Sequence, residues 1–425
     1  MKAPLRISVI TLLLAGSVLF LNSCKKEPVP PTITTTGVSS ITLTSASSGG
    51  NVTADGGAEV TARGVCWNTS ENPTVSNNKT SDGTGTGNFT SNLAQLNPGE
   101  RYYLRAYATN SAGTAYGNQQ TFTTDEILLA TVTTAEISTY SDISAVSGGD
   151  ITNDGGGNVT ARGVCWSSTS QTPTISDSKT EDGSGTGTFT SNLTGLEPGT
   201  TYYVRAYAVN SAGTAYGNPI SFTTLLAGQI RDVEGNVYNT VTIGLQVWMA
   251  ENLKTTKYND GTDIPLATTG WSNLQTPAYC WYDNDKDAYG DIYGALYNWH
   301  SAETGKLCPS GWHVPSELEW IELLNFADGQ AVAGGKLKEE GTTHWQSPNT
   351  GASDYYNFKA LPGGDRYIYG DFSNIGLSAK FWSSSLTSPS GSIHAKYLFL
   401  QYDSEWGGIG GSMKNYGYSV RCLKN

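Results

Sequence analysis

The chain has 425 residues, 15% of them charged, with 50 glycines and a formal net charge of −12 at pH 7. Its length allows two to four domains, and the scarcity of charge beside abundant Gly, Ser and Thr argues for strands and turns rather than helical bundles. The acidic balance, with no Lys/Arg cluster to offset it, argues against nucleic acid as a partner and against electrostatic attachment to an anionic membrane surface.

Residues 1–24 read MKAPLRISVITLLLAGSVLFLNSC: two cations, an apolar run from Ile7 to Leu21, then Ser23 and Cys24. That run is shorter than the roughly 20 residues a membrane-spanning helix needs, so it reads as a signal peptide. Leu21-Asn22-Ser23-Cys24 resembles the bacterial lipobox, which implies that Cys24 carries lipid and attaches the protein to a membrane. Cys-Lys-Lys-Glu after it resembles the charged signal that sends many Bacteroidetes lipoproteins to the outer face of the cell. The expected location is therefore the outer membrane, exposed at the cell surface. Residues 25–36, KKEPVPPTITTT, form a Pro/Thr tether whose extended conformation supplies reach.

An internal repeat follows. ARGVCW occurs at 62–67 and again at 161–166, and TSNLAQLNPGERYYLRAYATNSAGTAYGN from Thr90 recurs almost unchanged from Thr190. In the first copy Tyr102, Leu104, Ala106 and Ala108 alternate with Tyr103, Arg105 and Tyr107, the pattern of a half-buried strand. Leu96, Pro98 and Tyr102 have the spacing of a tyrosine corner, as do Leu196, Pro198 and Tyr202. GGNVTADGG and GGDITNDGGG read as Gly-rich hairpins. On these residues the two copies, 37–124 and 130–224, resemble fibronectin type III domains. Cys66 and Cys165, one per copy, read as small apolar core residues. Tyr103, Tyr107, Tyr203 and Tyr207 read as an exposed face of cross-strand pairs. Both domains are expected to act as spacers.

The last domain, 228–425, holds nine of the eleven tryptophans. Glu234-Gly235-Asn236 between alternating segments predicts a hairpin. The stretch from Tyr289 to Gly305 places Ile292, Leu296, Tyr297 and His300 at helical spacing. A second helix is predicted from Ser316 to Asp328, opened by a Ser316/Glu319 capping box, with Leu318, Ile321 and Leu324 facing inward. Short strands and Gly-rich loops follow, giving an α+β domain. IRDVEGNVY, VWMAENLKT, YGALYNWHSA, LCPSGWHVPSELEW, FKALPGG and YGYSVRC resemble the Fibrobacter succinogenes major paralogous domain. The resemblance implies a fold like that of C-type lectins and formylglycine-generating enzymes and brings no established activity. The fold class expected for the chain is two all-β fibronectin III-like sandwiches followed by this α+β domain.

Cys280, Cys308 and Cys422 allow three pairings in an oxidising compartment, of which Cys308 with Cys422 is preferred. Asp283, Asp285 and Asp287 alternate, so three carboxylates projecting one way form a candidate calcium site. The four histidines lack metal-ligand spacing and no nucleophile motif occurs, so no enzyme is expected. Trp345, Trp382 and Trp406, with Tyr402, Asp403, Glu405 and Asn415, are candidates for apolar platforms ringed by polar groups, which suit a sugar face. The expected function is adhesion or glycan binding by a lipid-anchored surface protein, with a polysaccharide or a surface protein as partner. A structural or protein-interaction role is the alternative, and a polysaccharide-acting enzyme the least favoured.

Overall fold

Strand propensity organises most of the chain, because β-branched and aromatic residues alternate with small polar ones between glycine turns. The computed structural model describes residue 1, residues 26–388 and residues 392–425. The lipobox and Cys24 lie outside the described residues. Among those described, no helix is long and apolar enough to cross a membrane. The chain divides into two compact units, Met1–Leu129 with Gly155–Asn158, and Ala130–Asp154 with Val159–Asn425.

The first unit is a sandwich. Its three-stranded sheet runs in the order Thr32–Ser39, Ala46–Ala54, Gly87–Leu93, and its second sheet in the order Asn78–Lys79, Ala62–Asn68, Arg101–Asn110, Gly113–Tyr116, with Gln120–Thr123 also on Arg101–Asn110. Val52 and Leu93 from one sheet meet Val65, Leu104 and Ala106 from the other in a single core. The tyrosine corner is present: the Asn97 N–H donates to the Tyr102 hydroxyl at 3.0 Å, and the Glu197 N–H to Tyr202 at 3.0 Å in the second copy.

Three expectations need correction here. The tether ends before Thr32, because Thr32–Thr36 pair with Ala46–Ala54 as the first strand; a run of β-branched Thr and Ile prefers a pleated surface to an extended linker. GGNVTA is not a hairpin but the end of the central strand of its sheet. A Cβ on Gly49 would stand 2.1 Å from the Phe89 carbonyl oxygen, so the glycine permits close approach of a neighbouring strand. Tyr107 and Tyr207 are buried rather than exposed, their hydroxyls donating at 2.7 Å to the carbonyls of Thr80 and Thr180. Cys66 and Cys165 are core residues with no disulfide, and burial pushes both thiols up to about 11.

The second unit opens with a sandwich of the same strand order, Thr131–Tyr140 to Ile220–Thr223. Beyond it, Gln229–Arg231 and Val237–Ile243 form the predicted hairpin, with Gly235 at φ 94°. A five-stranded sheet joins these to Gln246–Met249, Leu423–Lys424 and Trp312–His313. The α-helices of the described residues follow one another as α1 (Lys286–Tyr293), α2 (Trp299–Ala302), α3 (Glu317–Phe326) and α4 (Gln330–Leu337). A three-stranded sheet, Ser378–Leu386, His394–Gln401 and Gly407–Met413, lies against α3 and α4.

The single helix predicted from Tyr289 is broken in two. Gly294 leaves the helix at φ 73°, ψ −168°, packed against the Leu253 carbonyl, and Leu296–Tyr297 pair with Tyr279–Cys280 instead. Asn298 then caps α2 by accepting from the Ser301 N–H. Helix α3 has its capping box, with Ser316 and Glu319 bonding each other's backbone. Its inner face is Trp320, Leu323 and Leu324, whereas Leu318 is 75% exposed. The stripe turns toward Trp320 because that ring stacks on Trp248 with centroids 4.6 Å apart. Helix α4 was not foreseen; its Gly334 and Gly335 allow backbone contact that other residues would block. Cys308 and Cys422 form a disulfide with Cα atoms 5.9 Å apart, and Cys280 is buried and free.

Candidate functional site

The strand His394–Gln401 sends Leu398 and Leu400 into the core beside Trp320 and Phe381. Alternation turns Tyr397 and Phe399 to its other face, where both are half-buried. The neighbouring strand, Gly407–Met413, sets Gly410 opposite Tyr397 and Gly408 opposite Phe399. Those glycines clear a floor. A Cβ on Gly410 would stand 2.6 Å from the Tyr397 ring, and one on Gly408 would stand 1.7 Å from the Trp406 ring.

The rings continue from there. Trp406 meets Phe399 at 4.8 Å between centroids, Phe399 meets Tyr397 at 5.9 Å, and Tyr397 meets Tyr418 at 4.9 Å. Tyr416 lies 5.5 Å from Tyr418, Tyr367 5.0 Å from Tyr416, and Tyr369 5.4 Å from Tyr367. Tyr418 and Trp382 are the buried layer beneath, with centroids 4.5 Å apart. Trp406, Tyr367 and Tyr369 are exposed at 38%, 39% and 72%.

Polar groups border this run of rings. Lys380, opposite Phe399 in register, pairs with the buried Asp365 carboxylate and lies 5.4 Å from the centroid of Tyr418. Asp365 also accepts from the Ser373 hydroxyl at 2.8 Å and the Asn374 amide at 2.9 Å. Burial, reinforced by the Asp365 charge, pushes the Tyr397 phenol above its ordinary value. Burial and a hydrogen bond with Tyr367 do the same for Tyr416. These hydroxyls stay protonated at neutral pH.

Of the residues expected from sequence, Trp406 is placed on this face, and its turn carries exposed Asp403 and Glu405 and half-buried Tyr402. Trp345 and Trp382 are not platforms. Both are buried, their indole N–H groups donating to the carbonyls of Ala360 at 2.9 Å and Tyr297 at 2.7 Å. Asn415 is engaged elsewhere, bonding Ser272 through its side chain and Trp271 through its carbonyl.

The calcium expectation fails on geometry. Asp283–Asp287 do not form a strand, so the carboxylates do not alternate to one side: Asp283 sits at φ 55°, Asp285 caps α1 by accepting from the Ala288 N–H, and Asp287 lies in the first turn. Among the described residues, no three His, Cys, Asp or Glu side chains come together to hold a metal. Sequence reasoning missed Tyr367, Tyr369, Tyr397, Phe399, Tyr416 and Lys380. The available signal was KYLFLQ, aromatic and leucine in strict alternation, followed by the glycine-rich GGIGG.

No curated protein matches the chain. Among solved structures it is similar to the FN1–FN3 domains of chicken CNTN1, at 13% identity over 47% of this chain and 69% of that one, with a TM-score of 0.21. It is also similar to the sensor domain of the anti-sigma factor RsgI4 from Pseudobacteroides cellulosolvens, at 20% identity over 23% of this chain and 96% of that one, with a TM-score of 0.19. Residues 241–424, the stretch that holds the aromatic face and the Cys308–Cys422 bridge, match the family model of the Fibrobacter succinogenes major domain.

Proposed function

We propose that this protein is a surface lipoprotein, anchored through Cys24 at the outer membrane, whose two sandwiches form a stalk for a C-terminal module that binds neutral glycan chains. The observation that carries the reading is the group of rings Trp406, Phe399 and Tyr397 on the glycine floor of Gly408 and Gly410, continued beyond the buried Tyr418 by Tyr416, Tyr367 and Tyr369. Sugar rings offer apolar C–H faces that stack on aromatic surfaces, and phenol hydroxyls such as those of Tyr367 and Tyr369 are suited to bond sugar hydroxyls. The chain's net charge of −12 disfavours acidic polysaccharides. Binding rather than catalysis fits the face, because its buried carboxylate, Asp365, is already held by Lys380, Ser373 and Asn374.

The test is binding of the full chain to hydroxyethylcellulose, xylan, galactomannan and pectin, in calcium and in chelator. The reading expects binding to at least one neutral polymer, unchanged by chelator, and weakened about tenfold by Trp406→Ala or Tyr397→Ala. Absence of binding to every polymer sinks it. One feature favours a protein partner instead: Leu245 is 96% exposed and Phe326 50%, bordering a depression of about 480 Å³. On that second reading Leu245→Glu abolishes attachment to cells while Trp406→Ala has no effect.

A further inference from the structure

The turn that carries Trp406 is held from behind by a buried lysine. Lys338, the C-cap of α4, is fully buried, and its ammonium donates to the carbonyls of Thr350 at 2.9 Å, Gln401 at 2.8 Å and Ser404 at 2.9 Å. It also lies 5.4 Å from the centroid of Trp345. All three donors of the ammonium thus meet backbone acceptors, on two separate segments. Among the described residues no carboxylate forms an ion pair with it. A buried charge without a counter-ion costs stability that an apolar residue of the same size would not, so its presence calls for another role.

The same turn is held at further points. The Gly335 N–H donates to the Glu405 carbonyl at 3.0 Å, and the Trp406 N–H to the Ser404 hydroxyl at 3.1 Å. A Cβ on Gly334 would stand 2.4 Å from the Trp406 carbonyl oxygen, and one on Gly351 would stand 2.2 Å from Glu405 Cγ. The backbone of 401–406 therefore has one seat, and the seat fixes where the indole lies.

We infer that Lys338 is a positioning residue: acting through the three carbonyls, it pre-organises the Trp406 turn for its ligand, and loss of its charge lets the ring leave the Gly408 floor. This rests on the reading that Trp406 contacts the ligand. Fixing a binding group in its bound position raises affinity by lowering the ordering cost. Burial pulls the Lys338 ammonium down to about 8, opposed by Asp403 and Glu405 on the turn it holds. The other charged neighbours are engaged: Lys336 pairs with Asp328, Glu339 with His344 and Lys359, and Asp354 accepts from the Lys359 N–H. A neutral amine keeps two N–H donors for three carbonyls, so the clamp weakens as pH rises through about 8. Global stability moves the other way. The unfolded chain holds this proton up to 10.5, so the burial cost is fully felt below about 8 and fades above it. The loosening is local.

The experiment follows Trp406 itself, as the difference in acrylamide quenching between the full chain and Trp406→Phe. Lys338→Met keeps the aliphatic stem over Trp345 and removes the charge. The inference expects a folded variant in which Trp406 is quenched about twice as efficiently and affinity for the neutral polymer that the full chain binds falls roughly tenfold. In the unsubstituted chain the same rise in quenching develops from about pH 7 to about pH 9.5, and Lys338→Met is flat across that range. A folded Lys338→Met with unchanged quenching and affinity overturns the inference. If that variant does not fold, a flat pH series in the unsubstituted chain overturns it. A chain in which quenching responds as described but no polymer binds keeps the positioning role and removes the glycan reading.

Discussion

The indole of Trp406 lies across Gly408, so close that a Cβ on that glycine would overlap the ring at 1.7 Å. Gly408 does not lie in the left-handed region, so alanine there introduces no backbone strain. Gly408→Ala should therefore expel the indole and leave the fold in place. Its expected signature is a red-shifted tryptophan emission and loss of glycan binding equal to that of Trp406→Ala. The thermal midpoint should move by less than about 3 °C. A variant that binds normally would mean the ring's seat on Gly408 has no part in recognition.

Cys308 and Cys422 close a loop of 114 residues, joining the entrance of α3 to the final strand. Removing that cross-link frees the unfolded chain, at a cost of up to about 5 kcal/mol in the chain-entropy account and about 2–5 kcal/mol in practice. Cys308→Ser with Cys422→Ser should lower the denaturant midpoint of the C-terminal transition and leave the transition of the first sandwich unmoved. In the native protein Cys280, buried with its thiol pushed up to about 11, should resist thiol reagents until that transition is crossed. Equal midpoints with and without the bridge would contradict this.

The local rules were readable in the sequence. The tyrosine corner at Tyr102, the Ser316/Glu319 capping box and the Glu234–Asn236 hairpin depend on residues a few positions apart, and all three are present. What was hidden depends on partners distant in sequence. The helix predicted from Tyr289 stops because Gly294 meets the Leu253 carbonyl, a contact no periodicity reveals. Trp382 and Trp406 look alike in sequence, each beside small residues. They differ because Trp382 finds the Tyr297 carbonyl in the core, whereas Trp406 finds Gly408, which has no side chain to displace it. The aromatic face was illegible for the same reason: Tyr367, Tyr397 and Tyr416 come from three segments that only the fold brings together.

Arg421 is wholly buried with no ion-pair partner among the described residues. Its guanidinium donates to the carbonyls of Phe358 and Lys359 and to the Asn252 side chain, and its plane lies 4.3 Å from the centroid of Phe358. Burial draws it down to about 9, a sign of how poorly the charge is compensated. Arg421→Ala deletes the donors and leaves two carbonyls and an amide oxygen buried without partners, with a cavity beside Phe358 and Phe381. The expected cost is about 3–5 kcal/mol in urea unfolding. A loss below about 1 kcal/mol would show that water reaches these acceptors.

Glu319 links the acid stability of the domain to its last strand. Burial pushes the carboxyl up, but bonds from Ser316, at 2.7 Å from its backbone N–H, and from His313 at 3.0 Å outweigh burial and leave it below its ordinary 4.5. A carboxylate lowered in the folded state adds stability above the unfolded value, and that contribution is lost as pH falls through the folded value. His313 also bonds Asn425 at 2.7 Å and pairs in register with Leu423, so protonating Glu319 loosens the strand that follows Cys422. Glu319→Gln should be less stable than the unsubstituted chain at pH 7 and lose less on acidification below about pH 4.5. Thermal midpoints from pH 7 down to about pH 3 measure this directly. Parallel curves for the two proteins would mean that another carboxylate sets the acid limit.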